Sequence, residues 1–146
     1  MNILIVEDAA LIAMSLAVEL TQAGHKIVGP VHSAAAAVPL ARAQPPELAL
    51  IDIDLESSGD GIALARQLCC EFELAVIFTT GQPDTARANA DCAIGLLVKP
   101  YNPHVIIEVA DYAEAVMRGR LATTPTHLAM FEAFGAKAGS PLPHSR

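Results

Sequence analysis

Four hydrophobic runs divide the chain, and each ends on a polar residue with chemistry to offer. Ile3-Leu4-Ile5-Val6 is followed by Glu7 and Asp8, and Leu48-Ala49-Leu50-Ile51 by Asp52. Val76-Ile77-Phe78-Thr79 is closed by Thr80, and Leu96-Leu97-Val98 by Lys99. Short apolar runs alternate with longer segments of helical periodicity, the pattern of successive βα units. Strands are predicted over Asn2–Val6, residues 25–28, Leu48–Asp52, residues 75–79 and residues 94–98. Helices are predicted over residues 9–23, Ala34–Ala43 and 62–72, with a short one between Pro83 and Asp91. A fifth opens at Pro103, capped by Asn102, and runs to Arg118.

The periodicity assigns faces and stops. In the first helix Ile12, Leu16 and Leu20 recur every four residues and mark the core side, with Gly24 as the stop. Gly29-Pro30 breaks the second strand, Ser33 caps the second helix, and Pro39 inside that helix predicts a kink or a late start. Leu48–Asp52 is continuously apolar, as expected of a strand covered on both faces. Residues 56–61 form a polar turn, in which Asp60 caps the third helix.

Right-handed crossovers close five such units into an α/β fold, a five-stranded doubly wound parallel sheet with five helices. The flavodoxin-like order 2-1-3-4-5 places the first and third strands side by side, so Asp8 and Asp52 become neighbours. Residues 1–118 are the expected domain. Residues 119–146 are expected to be a linker around Thr123-Thr124-Pro125, a short helix within residues 126–136 carrying Leu128, Phe131 and Phe134, and a disordered tail from Gly139. That apolar stripe could cover the domain itself, form a homodimer or dock a partner.

Composition narrows the class. A chain of 146 residues that is 53% apolar can bury a single core. A net charge of −7 argues against direct DNA binding, which needs clustered Lys and Arg. The first apolar stretch is interrupted at Glu7-Asp8 and the next ends at Glu19, too short to span a bilayer, so a cytoplasmic protein without membrane contact is expected. Cys69, Cys70 and Cys92 lack metal-ligand spacing and are expected to pack, and His25, His32, His104, His127 and His144 are scattered.

Ligands of open parallel sheets bind outside the carboxyl ends of the strands, at the point where strand order reverses. Glu7, Asp8, Asp52, Thr80 and Lys99 should therefore meet in one pocket. Carboxylates crowded together repel unless a cation joins them, and hard oxygen ligands suit Mg²⁺. A carboxylate beside Mg²⁺ and a lysine is suited to receiving a phosphoryl group.

These residues carry a family resemblance. Ile-Leu-Ile-Val-Glu-Asp at the start, Leu-Ile-Asp-Ile-Asp-Leu in the middle, Asp-Gly-Ile opening the third helix, Phe-Thr-Thr-Gly after the fourth strand and Val-Lys-Pro after the fifth resemble the receiver domain of two-component response regulators, over residues 1–118. The resemblance implies Asp52 as phosphoacceptor. It implies Mg²⁺ held by Asp8, by Glu7 directly or through water, by Asp52 and by the backbone carbonyl of Asp54. Thr80 rather than Thr79 would hydrogen-bond a phosphoryl oxygen, Lys99 would pair with another, and Lys99-Pro100 would be cis. A stand-alone switch is implied, not an enzyme beyond its own dephosphorylation. Its phosphodonor would be a histidine kinase or histidine phosphotransfer protein, and its output an unidentified protein.

Three features depart from the family pattern. Leu96 stands where an aromatic residue is common, with Tyr101 as a candidate substitute. The segment from Thr80 to Lys99 is short. The turn after Asp52 carries Glu56 in place of proline and is one residue longer. Two other readings fit parts of the pattern. One is a receiver-like interaction module that never takes phosphate. The other is a haloacid-dehalogenase-like phosphatase using Asp52-Ile53-Asp54, although nothing resembling its late acidic pair follows Lys99.

Overall fold

The structure, a computed structural model, describes residues 1–56 and 60–131. Its strands are β1 (Asn2–Val6), β2 (Lys26–Val31), β3 (Leu48–Asp52), β4 (Ala75–Thr80), β5 (Gly95–Val98) and β6 (Leu128–Met130). The helices are α1 (Ala10–Gln22), α2 (Ala34–Ala43), α3 (Asp60–Phe72), α4 (Pro83–Arg87) and α5 (Val105–Met117), with a 3₁₀ turn at Ala90–Cys92. The sheet order is β2-β1-β3-β4-β5-β6; β1 to β5 are parallel and β6 is antiparallel to β5. The expected 2-1-3-4-5 order is present, with a sixth strand added at its edge.

Strand alternation divides the core into two layers. Leu4, Val6, Ile51 and Phe78 face α2 and α3, while Ile3, Ile5, Leu50 and Ile77 face α1 and α5. Both faces of β3 and β4 are covered, and every residue of these two strands is buried. That is why their sequences carry no polar residue until their ends.

Several elements differ from the sequence expectation. β2 continues through Gly29-Pro30, because it is an edge strand and proline there removes no ladder bond. The pairs Leu4↔Val28 and Val6↔Val31 leave one extra residue on β2, a bulge at which Gly29 takes φ +95°. In α1 the buried stripe is Ala13, Leu16 and Leu20, and Ile12 lies outside it. α2 runs unbroken through Pro39, which is exposed, and the carbonyl four residues earlier belongs to exposed Ala35. Ser33 caps α2 as expected, its Oγ accepting from Ala36 N–H at 3.3 Å. Cys92 is buried and Cys69 half-buried, but Cys70 is exposed.

In place of a helix, the described part of residues 126–136 forms β6. Leu128 and Phe131 are both buried, on opposite faces of the sheet. Their spacing of three fits one helical face, but burial on two faces requires an extended chain. Phe134 and the expected disordered tail lie outside the described residues, as do residues 57–59 of the polar turn.

Gly61 fixes how closely α3 approaches the end of β3. A Cβ there would lie 2.5 Å from the Asp52 carbonyl oxygen and 2.6 Å from Ile53 Cα. Gly61→Ala is therefore expected to lower the unfolding free energy by about 1–3 kcal/mol, the usual cost of overpacking. Gly81→Ala, with nothing within 4 Å of the new methyl group, should stay within about 0.5 kcal/mol of the parent. Urea denaturation of the two variants checks both values.

Candidate functional site

The carboxyl ends of β1, β3, β4 and β5 carry the polar residues that the hydrophobic pattern singles out. Asp52 and Thr80 are the last residues of β3 and β4, and Glu7 and Lys99 directly follow β1 and β5. Glu7 and Asp52 are each 1% exposed and Thr80 is fully buried. Glu7, Asp8 and Asp52 each offer a carboxylate oxygen, and these oxygens lie within 4.8 Å of one another. The adjacency of β1 and β3 produces this cluster, since no chain segment links the two strand ends directly.

Lys99 reaches into the cluster. Its Nζ donates to Glu7 Oε2 at 3.0 Å and to Asp52 Oδ2 at 2.9 Å. Burial opposes its charge, but the hydrogen bonds to Asp52 and Glu7 prevail and raise its pKa. The Lys99-Pro100 peptide is cis, as the resemblance implies. Two carboxylates share this one ammonium while Asp8 adds a third negative charge. Burial pushes Glu7 up to about 7, against the Ala9 N–H and Lys99 that favour its charge, and the nearby Asp52 carboxylate adds to the rise.

The second carboxylate oxygen of each buried acid is held by backbone. Ala9 N–H donates to Glu7 Oε1 at 3.0 Å, and Asp54 N–H donates to Asp52 Oδ1 at 2.8 Å. Both carboxylates are thus oriented at two points, by an amide and by Lys99.

Thr80 joins the cluster through Asp54. Its hydroxyl donates to Asp54 Oδ2 at 3.0 Å and accepts from Gln82 N–H at 2.8 Å, while Gly81 N–H also donates to Asp54 Oδ2 at 3.0 Å. Thr79 pairs in register with Asp52 within the ladder, and its hydroxyl has no part in these contacts. The sequence pattern gave Asp54 a role only through its backbone carbonyl. Its side chain ties the β4 end to the turn after β3, a link set by turn geometry with no signature of its own.

One further residue, His32, escaped the sequence pattern, and Tyr101 entered it only as a substitute for the ring absent at Leu96. His32, just past the β2 bulge, donates from Nδ1 to the Glu7 carbonyl oxygen at 2.8 Å, and Glu7 N–H donates to Val31 O at 3.0 Å. The edge strand thereby holds the Glu7 backbone. Tyr101 places its hydroxyl in a buried position without a hydrogen-bond partner among the described residues. Burial raises its pKa, and the charges of Glu7 and Asp52 add to that rise. Leu96 is fully buried in the layer of α2 and α3.

Comparison with known proteins agrees with this fold. Residues 3–111 match the response regulator receiver domain family. The chain is 33% identical to the phyllosphere-induced regulator PhyR of Methylorubrum extorquens over 114 residues, 77% of this chain and 43% of that protein. It is 31% identical to the transcriptional regulatory protein PdtaR of Mycobacterium tuberculosis over 136 residues, 87% of this chain and 66% of that protein. It therefore spans less than two thirds of either relative. Among solved structures, the receiver domain of NtrX from Brucella abortus superposes with a TM-score of 0.68 at 29% identity, covering 76% of this chain and 96% of that one. The response regulator PhyR from Brucella abortus gives 0.67 at 27% identity, covering 77% and 46%. With the family match spanning most of the chain, this protein belongs to the response regulator receiver domain family.

Proposed function

We propose that the chain is a phosphoacceptor switch of two-component signalling, with Asp52 as the acceptor. The observation that carries this reading is the Lys99 ammonium lodged between buried Glu7 and Asp52, with Asp8 alongside. In the transfer, the P–N bond of a phosphohistidine breaks as a bond forms from phosphorus to an Asp52 carboxylate oxygen, and the imidazole leaves. Asp52 is held for attack by Asp54 N–H and Lys99. Lys99 is a cation already placed where charge accumulates on the transferring oxygens. Thr80 supplies a hydroxyl donor to the bound phosphoryl group.

The donor set fits Mg²⁺: it consists of hard oxygens with more negative charge than Lys99 offsets. Glu7, Asp8, Asp52 and the Asp54 carbonyl would hold the ion, which when bound neutralises carboxylate and phosphoryl charge. The donor would be a histidine kinase or histidine phosphotransfer protein, and the output another protein. Support for donor docking comes from α1, which begins just past Asp8 and exposes Leu11, Met14 and Val18 at 82%, 61% and 51%. This apolar stripe lies opposite the buried one. Among the described residues no helix is long and apolar enough to cross a membrane, and a cytoplasmic location accords with the reading.

Three measurements test this function. Incubated with acetyl phosphate and Mg²⁺, the protein should gain one phosphoryl mass, Asp52→Asn should gain none, and EDTA should abolish the gain. No label on the parent would favour an unphosphorylated interaction module, and a label on Asp52→Asn would refute the acceptor. Met14→Lys should leave labelling by acetyl phosphate unchanged while slowing transfer from a phosphorylated histidine donor by about tenfold, the cost of one interface anchor.

The third concerns pH. Folded Glu7 binds its proton up to about pH 7, whereas the unfolded chain loses it near 4.5. Between those values the native state holds the extra proton, so stability falls as pH rises and levels off above 7. In EDTA the parent should lose roughly 3 kcal/mol relative to Glu7→Gln across this window. Denaturation midpoints of the two proteins from pH 4 to 8 read the difference, and parallel curves would contradict it.

A further inference from the structure

β6 lies outside the five βα units and pairs with a single strand. It pairs with β5 through Gly95↔Met130, Leu96↔Ala129 and Leu97↔Leu128, and Phe131 N–H donates to Ile94 O at 3.1 Å. Leu128 is buried in the layer of α1 and α5, and Phe131 in the layer of α2 and α3. The connection from α5, residues 118–127, is exposed apart from half-buried Pro125, and Leu121 is fully exposed. β6 is thus a three-residue edge strand at the end of a solvent-exposed tether, seated by buried Leu128 and Phe131 with Ala129 and Met130 packed against the same two layers.

The strands it rests on are the ones that end in Thr80 and Lys99. Phe78, two residues before Thr80 in β4, meets Phe131 edge to face, with ring centroids 6.5 Å apart at 62°. Leu97, two residues before Lys99, lies opposite Leu128. Residues two apart on a strand share a face, so Phe78 lies on the side of Thr80 and Leu97 on the side of Lys99. At Gly95 the approach is closer than a side chain permits: a Cβ would lie 2.7 Å from the Ala129 carbonyl oxygen.

We propose that β6 is an autoinhibitory cover on the β5 edge, released when Asp52 carries a phosphoryl group. The inference rests on the phosphoacceptor reading of Asp52. Phosphorylation turns the Asp52 carboxylate into an acyl phosphate. Lys99 then loses one of its two anionic partners and faces new oxygens farther out. The Thr80 hydroxyl, now on Asp54, is offered a phosphoryl acceptor instead. Both side chains re-aim, and the residues two positions before them are the seats of Phe131 and Leu128. A short edge strand paired on one side only can open locally without unfolding the sheet. Its departure leaves the N–H and C=O groups of the β5 edge unpaired.

Hydrogen–deuterium exchange on the full chain tests the proposal, with phosphoryl occupancy read by intact mass in the same sample. Phosphorylation by acetyl phosphate and Mg²⁺ should speed exchange at residues 128–131 at least threefold, while β1 and β3 stay protected. Gly95→Ala, without phosphate, should speed the same amides tenfold or more. A phosphorylated chain with unchanged or slower exchange there overturns the cover and leaves the phosphoacceptor reading standing. Failure to gain a phosphoryl group overturns both. Unchanged exchange in Gly95→Ala shows that β6 is not seated on Gly95 and overturns the cover as well.

Discussion

The fold depends on how two buried carboxylates are kept tolerable. Glu7 and Asp52 lie at the ends of adjacent central strands and are almost fully withdrawn from water. An ionised carboxylate in such a place is costly unless paired and hydrogen-bonded. Lys99 supplies the pairing to both, and two backbone amides supply the remaining bonds. The arrangement constrains the sheet: β5 must end where its lysine reaches across β4 to β3 and β1. Order 2-1-3-4-5 satisfies this. The site remains under-neutralised: burial raises the pKa of Glu7 despite Lys99, and the nearby Asp52 carboxylate adds to the rise. A stable structural ion pair would seek balance, whereas a surplus of negative charge suits a site that exchanges cations and anionic groups.

The central strands were legible because burial on both faces removes the alternation that would otherwise compete with a helical reading. Leu48–Asp52 and its neighbours could be placed from apolar continuity, and polarity at their ends marked the site. Edges were less legible. Gly29-Pro30 reads as a break because glycine and proline are weak strand formers, yet an edge strand accepts both through a bulge. Leu128 and Phe131 read as one helical face because spacing alone cannot tell whether two residues enter the same layer or two. Ile12 was assigned to the core on a four-residue repeat, whereas the true stripe of α1 uses the small Ala13. Alanine carries little pattern signal, so a close approach of helix to sheet is hard to see in advance.

In the site, the residues that project from strand ends were legible and those that depend on turns were not. Glu7, Asp8, Asp52 and Lys99 follow from strand order alone. The Asp54 side chain depends on the conformation of the turn after β3, and His32 reaches Glu7 because the bulge shifts β2 by one residue. Both act on the site by positioning backbone or a hydroxyl, a role for which a polar residue in a sequence carries no distinguishing mark.

β6 also bears on the departure at Leu96 from the receiver pattern. The receiver resemblance leads one to expect an aromatic ring at this position, and Leu96 fills less of the layer that it shares with α3 and α4. Phe131 enters that same layer from β6 and packs against Phe78. The ring therefore arrives from a separate strand rather than from β5 itself. A ring fixed to β5 can only rotate in place, whereas a ring carried on β6 is tied to a strand that can leave. Burial of Phe131 is then coupled to the backbone pairing of Leu128–Met130, and the two are kept or lost together. Moving the aromatic group from β5 to the C-terminal strand turns a side-chain rearrangement into the docking of a whole segment.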